Sequence, residues 1–233
     1  MIVNQAFHNF AMKLWSFNKF LNSKNHFDEE GFIPQHGGYK NLLSYKKAEI
    51  IYDGTVYFCK RFFPKDYRTT DQMVQAARSG KQNISEASMA SATSKETEIK
   101  LTNVARASLD ELLNDFKDFL RTNKFKEWEK DHPYVARMRE LNKDPNGNYE
   151  TFRRGIENKN PEICANVLIG LVKVANYLLT NQLKQLEKAF LKEGGLRERM
   201  TRARLQQRNK GQKGHFFIVF IVLLVFSMLK WEF

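Results

Sequence analysis

The chain has 233 residues, 42% of them hydrophobic, which is enough to bury one substantial core. Lys and Arg number 38 against 26 Asp and Glu, a formal charge of +12 with a pI near 9.6, so a polyanionic partner such as RNA, DNA or an anionic membrane surface is electrostatically favoured. Cys59 and Cys164 lie far apart within apolar helical patterns, and none of the five histidines pairs with a cysteine at zinc-site spacing, so we expect neither a disulfide framework nor a metal or other cofactor, and a reducing cytoplasm as the setting.

In chain order, residues 1–38 form a first segment. Phe7, Phe10, Leu14, Phe17 and Leu21 recur at alternating spacings of three and four, the mark of a short amphipathic helix, either an accessory one resting on the bundle or one that binds a partner. Asn4, Gln5, His8 and Asn9 interrupt the apolar run, so it does not read as a signal peptide. Asp28-Glu29-Glu30-Gly31 and His36-Gly37-Gly38 then read as a linker.

The region 39–195 reads as four long helices with an insertion. The first is predicted from about Tyr39 to Phe63, with a seam of Leu42, Tyr45, Tyr52, Val56, Cys59 and Phe63, with Ile50, Ile51 and Phe58 beside it, and with Pro64 as its stop. The second is predicted to start near Thr69, where Thr69 and Gln72 stand at capping-box spacing. Its seam of Met73, Ala77, Gly80, Ile84 and Ala87 is small enough to admit a neighbouring helix closely. Thr93 and Glu96 offer a second capping box for a helix to about Lys126, lined by Leu101, Ala105, Leu109, Leu112, Phe116 and Phe119.

Residues 129–160 are rich in punctuation, with His132-Pro133 and Asp144-Pro145-Asn146-Gly147-Asn148, and are expected to hold at most one short helix. Asn160-Pro161 then starts a helix that Gly194-Gly195 stops. Its first half, from Ile163 to Leu179, is so apolar that it is either central in the bundle or part of a subunit interface.

Half of the excess charge follows in the extension 196–213. Arg197, Arg199, Arg202, Arg204, Arg208, Lys210 and Lys213 stand against Glu198 alone. Arginine offers phosphate a planar fork and stacks on bases, so this composition suits nucleic-acid contacts; a cytoplasmic charge block beside a membrane anchor would look the same. The tail 214–233 keeps the second possibility open: residues 216–229 are almost wholly apolar but shorter than the roughly 17–25 residues of a spanning helix. A further basic set, with Arg78, Lys81 and Arg106 as its leading members, lies on the bundle helices themselves.

No catalytic constellation stands out. There is no glycine-rich phosphate loop, nucleophile elbow or paired His/carboxylate spacing, and Asn83 and Glu86 beside the small-residue seam are better suited to bonding a partner helix. A non-enzymatic protein is expected.

The run from Ala76 to Ala87, with Asn83-Ile84-Ser85-Glu86-Ala87 at its end, resembles the four helix bundle proteins related to 23S ribosomal RNA intervening-sequence proteins, whose members carry Asn-Ile-Ala-Glu-Gly there. Ser85 and Ala87 depart from that pattern but stay small. The stretch from Gly194 to Arg204 looks like the basic extension of the four helix bundle suffix domain subfamily, and the match covers roughly residues 31–210. The accessory variability proteins of diversity-generating retroelements look similar in architecture. The resemblance implies an antiparallel up-down four-helix bundle able to form a ring of five, with a positive surface; the retroelement proteins bind nucleic acid and a reverse transcriptase. Taken together, the expectation is an all-α bundle with a basic C-terminal helical extension that binds RNA or DNA through Arg78, Lys81, Arg106, Arg197, Arg199, Arg202, Arg204 and Arg208. An oligomeric scaffold that binds a protein partner and is tethered to a membrane through 216–229 is the alternative.

Overall fold

The computed structural model describes residues 38–209, and all regular structure among them is helical. A 3-10 turn at Tyr39–Asn41 precedes α1 (Leu43–Phe62), α2 (Tyr67–Ala90), α3 (Lys95–Thr122), α4 (Pro133–Lys143), α5 (Tyr149–Ile156) and α6 (Pro161–Glu193). A last helical stretch, α7, covers 196–209. The long helices pack in a closed cycle, α1 on α2, α2 on α3, α3 on α6 and α6 on α1, while α5 lies against α6 and α1, and α4 against α6.

At the centre Phe58 meets Phe116 and Phe119 edge-on at centroid distances of 5.1 and 4.9 Å, a geometry that aligns ring edges with ring faces. Ile51, Leu112, Leu168 and Leu171 are buried around them, each side chain worth roughly 1.5–3 kcal/mol for leaving water. The small seam of α2 behaves as its composition implies. Met73, Ala77, Gly80, Ile84 and Ala87 are all buried, and a Cβ on Gly80 would come within 2.7 Å of Leu109 Cδ2 on α3. One face of the first half of α6 is buried within this chain itself, with Cys164, Leu168, Leu171, Ala175 and Leu179 inward and Lys173 and Tyr177 exposed, although by length and composition alone the helix would qualify as a membrane span.

Several helix ends differ from the sequence-based expectation, each for a capping reason. The first helix starts after Leu42, because Leu42 is extended and the preceding residues form a separate 3-10 turn. Its buried face is also rotated. Ser44, Lys47, Ala48, Ile51, Gly54, Thr55 and Phe58 point inward, whereas Tyr45 and Tyr52 sit half-buried at the flanks. Gly54 leaves room for the neighbouring helix: a Cβ there would come within 2.6 Å of Leu168 Cδ2, which would have to shift.

Asp66, not Thr69, caps α2, its carboxylate accepting from the Thr69 N–H at 3.0 Å. Hydrogen bonding from the Thr69 side chain, and then from its backbone N–H, holds the Asp66 carboxyl below the usual carboxylate range. Ser94 rather than Thr93 caps α3, accepting from the Thr97 N–H at 3.1 Å. That helix ends at Thr122, and Lys124 takes a left-handed φ of 60° that cannot continue it.

The insertion holds two helices, not one at most. His132-Pro133 and Asn148 are helix starts: proline fills the first position of α4, and Asn148 with Thr151 forms a reciprocal capping box on α5. At α6 the expectation and the structure agree, with Asn160 accepting from the Glu162 N–H and Gly194 ending the helix at φ 73°. The expected N-terminal helix, Lys210, Lys213 and the apolar run 216–229 lie outside the described residues.

Candidate nucleic-acid interface

The arginine-rich extension is helical to the last described residue. Gly194 breaks α6, the Arg199 N–H donates back to the Gly195 carbonyl, and α7 follows. Its 3.6-residue period puts Leu196, Met200 and Ala203 on the half-buried side and lines up Arg197, Arg204 and Arg208 on one exposed stripe. From Arg197 to Arg208 that stripe runs about 16 Å, at 1.5 Å per residue. Arg202 is exposed on a neighbouring flank. Arg199 is different: it turns inward, and its Nη2 donates to the Ala92 carbonyl in the α2–α3 turn at 3.2 Å. It anchors the helix and is not presented to a ligand.

The three cations expected on the bundle face different ways. Arg78 is exposed on α2. Lys81 is half-buried with its Nζ 4.4 Å from the Tyr52 ring centroid, so it leans towards α1. Arg106 is half-buried and donates to Asn103 Oδ1 at 3.0 Å, while its buried Nε has no partner. Asp110, one turn after Arg106, accepts from Asn176 on α6, whereas the Ser79–Ser108 contact marks the side of α3 that faces α2. Helical spacing therefore sets Arg106 towards α6, across the helix cycle from Lys81. The two do not share a face.

A second surface arises where the sequence shows only an insertion. Trp128, Tyr134, Arg137, Met138, Phe152, Arg154 and Asn158 line a groove of about 370 Å³ between α4, α5 and α6. Its aromatic wall is set by Asn166, the buried polar residue in the apolar half of α6. Asn166 Oδ1 accepts from the Trp128 N–H at 2.8 Å, and its Nδ2 donates to the Lys126 carbonyl at 2.9 Å. Glu162 accepts from the Lys126 N–H, and Lys173 pairs with Glu127. Trp128 stacks on His132 at 4.6 Å and on Tyr134 at 5.1 Å, and those two rings lie 5.6 Å apart. Rings on opposite faces of the indole would be far more widely separated, so both occupy one face.

The groove carries cationic groups that other arginines nearby do not supply. Arg153 is paired with Glu150 and Glu157, and Arg139 donates to the Lys130 carbonyl. Arg137 and Arg154 are exposed and form no ion pair with a described residue. The sequence signals that could have identified this site are Trp128 four residues before His132-Pro133-Tyr134, and Asn166 set among the apolar residues of the run 164–172.

Beneath α5 lies Lys47, buried at the start of α1. Its Nζ has no hydrogen-bond partner and sits 4.7 Å from the Phe152 ring centroid. Burial holds its ammonium below the ordinary lysine range, an effect that Asp144 partly offsets. Burial likewise pushes the Cys59 and Cys164 thiols up to about 12, which leaves them unreactive in the folded chain. Asn83 donates to the Ser79 carbonyl of its own helix, so its polarity is absorbed locally. Among the described residues no group of three His, Cys, Asp or Glu side chains is placed to hold a metal ion. Compared with protein-family models, curated proteins and solved structures, the chain matches none.

Proposed function

We propose that this protein is a non-catalytic, cytoplasmic nucleic-acid-binding protein, built as an antiparallel up-down four-helix bundle that presents α7 to the phosphate backbone of RNA or DNA. The observation that supports this reading is the exposed stripe of Arg197, Arg204 and Arg208 on a helix whose base is anchored by Arg199. Three guanidinium groups on one face can each take a phosphate bidentately, and their release of counterions favours binding. The bundle arrangement is supported by the closed cycle of helix packing and by the short connections 63–66 and 91–94, which force successive helices to run antiparallel.

Membership of the four helix bundle family related to 23S ribosomal RNA intervening-sequence proteins belongs to the same reading, as does a homo-oligomer, with a ring of five as the assembly the resemblance implies. Tyr177 and Leu191, exposed along one stripe of α6, are apolar surface that a second copy would cover. The role suits an accessory protein of a ribonucleoprotein or retroelement process.

The test is an electrophoretic mobility-shift series against structured RNA, single-stranded DNA and duplex DNA at several salt concentrations. Affinity falls steeply with salt, and the Arg197→Gln, Arg204→Gln, Arg208→Gln triple variant lowers the log–log salt slope by about 2–3, the sum for three lost phosphate contacts. Retention that ignores salt, or that the triple variant leaves intact, rejects the reading.

A further inference from the structure

We infer that the groove between α4, α5 and α6 holds one unpaired nucleotide, its base against the Trp128–Tyr134 wall and its phosphate on Arg137 and Arg154. The choice of occupant rests on the nucleic-acid reading above; the geometry stands without it. Four features of the groove bear on what fits. Its volume of about 370 Å³ lies in the range of small-ligand sites. Its floor is apolar, with Met138 and Phe152, and suits a planar ring better than a hydrated chain. Its wall is aromatic, and because His132 and Tyr134 occupy one face of the indole, the other face is free of ring partners among the described residues. A base stacked on an aromatic side chain is worth about 1–3 kcal/mol whatever its identity.

The polar groups complete the match. Arg137 on α4 and Arg154 on α5 come from different helices and line the same groove, and among the described residues no carboxylate lines it or pairs with them, so an anion there meets two guanidinium groups. Asn158 Oδ1 is occupied by the Asn160 N–H at 2.9 Å, which leaves its Nδ2 free to donate at the groove wall to a base edge. A base inside a duplex offers neither its face nor its hydrogen-bonding edge, so the site selects single-stranded or looped segments. An acidic peptide would satisfy the arginines but leave the aromatic wall and apolar floor without a planar partner.

Isothermal titration of the unmodified full chain with adenosine 5′-monophosphate, ribose 5-phosphate and an oligoglutamate peptide tests this. The nucleotide binds saturably, ribose 5-phosphate binds at least tenfold more weakly, and Arg137→Gln with Arg154→Gln weakens the nucleotide at least tenfold. Both arginines are exposed, so circular dichroism of the variant matches the parent. Replacing Trp15 and Trp231 by Phe leaves Trp128 as the lone indole, and its fluorescence is quenched along the same isotherm. Equal binding of ribose 5-phosphate, preference for the peptide, indifference to the double variant, or no nucleotide binding each overturns the inference. Failure here with salt-dependent mobility shifts intact removes the groove alone; loss of the shifts with nucleotide binding intact removes the α7 reading alone.

Discussion

The interior shared by α1, α2, α3 and α6 and the groove between α4, α5 and α6 use opposite faces of the same helix, yet they are held together differently. On its inner face α6 contributes Leu168, Leu171, Ala175 and Leu179 to a dry aromatic and aliphatic interior in which shape decides everything. On its outer side Ile163 and Val167 form part of a floor, while the wall above is hung from hydrogen bonds to Asn166. Packing energy grows with buried area and tolerates modest changes of side chain. A buried amide that serves two backbone groups tolerates none, because its loss leaves both unsatisfied.

The largest effect therefore belongs to the interior. Phe58→Ala removes a ring that touches Phe62, Phe63, Phe116 and Phe119, and a loss of about 3–5 kcal/mol is expected in denaturant unfolding. Nucleotide binding by any remaining folded fraction should be unchanged.

Asn166→Ala sharpens the contrast. It strands the Trp128 N–H and the Lys126 carbonyl, at a cost of about 1–3 kcal/mol, and it should abolish the Trp128 response to nucleotide while the helical circular dichroism persists. If the variant binds nucleotide normally, Asn166 does not position the wall.

Lys47 sits where the two regions meet, under Phe152, and there the expected change is a gain. Lys47→Met removes an unpartnered buried ammonium, whose cost exceeds the contact with the Phe152 ring, and should stabilise the fold by about 1 kcal/mol near neutral pH. The sign with pH follows from the direction of the shift. The folded chain holds this proton less tightly than the unfolded chain, so stability rises as pH climbs from the lowered folded value towards 10.5. The advantage of methionine is fully present below that interval and shrinks through it, as unfolding curves for both proteins at neutral and alkaline pH would reveal.

The smallest effect is at a helix end that belongs to neither region. Ser94→Ala deletes the cap of α3 and should cost about 1 kcal/mol, with the groove and the α7 stripe unaffected. A much larger loss would mean that the α2–α3 turn, where Arg199 docks on Ala92, carries more than a cap.

The seams of α2, α3 and α6 were legible in the sequence because their periodicity records burial directly, and the small residues of α2 announced a close approach that Gly80 and Leu109 make. The seam of α1 was legible only in part: Ile50, Ile51, Phe58 and Cys59 are buried, but Tyr45 and Tyr52 stay at the flanks while Gly54, Thr55 and Lys47 take the interior. Caps were misplaced by one to three residues wherever several hydroxyl or carboxylate side chains competed, since the choice depends on backbone angles that spacing does not reveal. The insertion was undervalued for a related reason: proline and asparagine both end and begin helices, and only the geometry after them decides which.

What the sequence alone determined is the helical character, the four long amphipathic segments and the arginine excess of the extension, all of which are properties of local composition and period. Tertiary structure alone decided which cations share a surface. It separated Lys81 from Arg106, turned Arg199 inward, and brought Arg137 and Arg154 from different helices to one groove, because directions across neighbouring helices are set by packing and not by spacing along the chain.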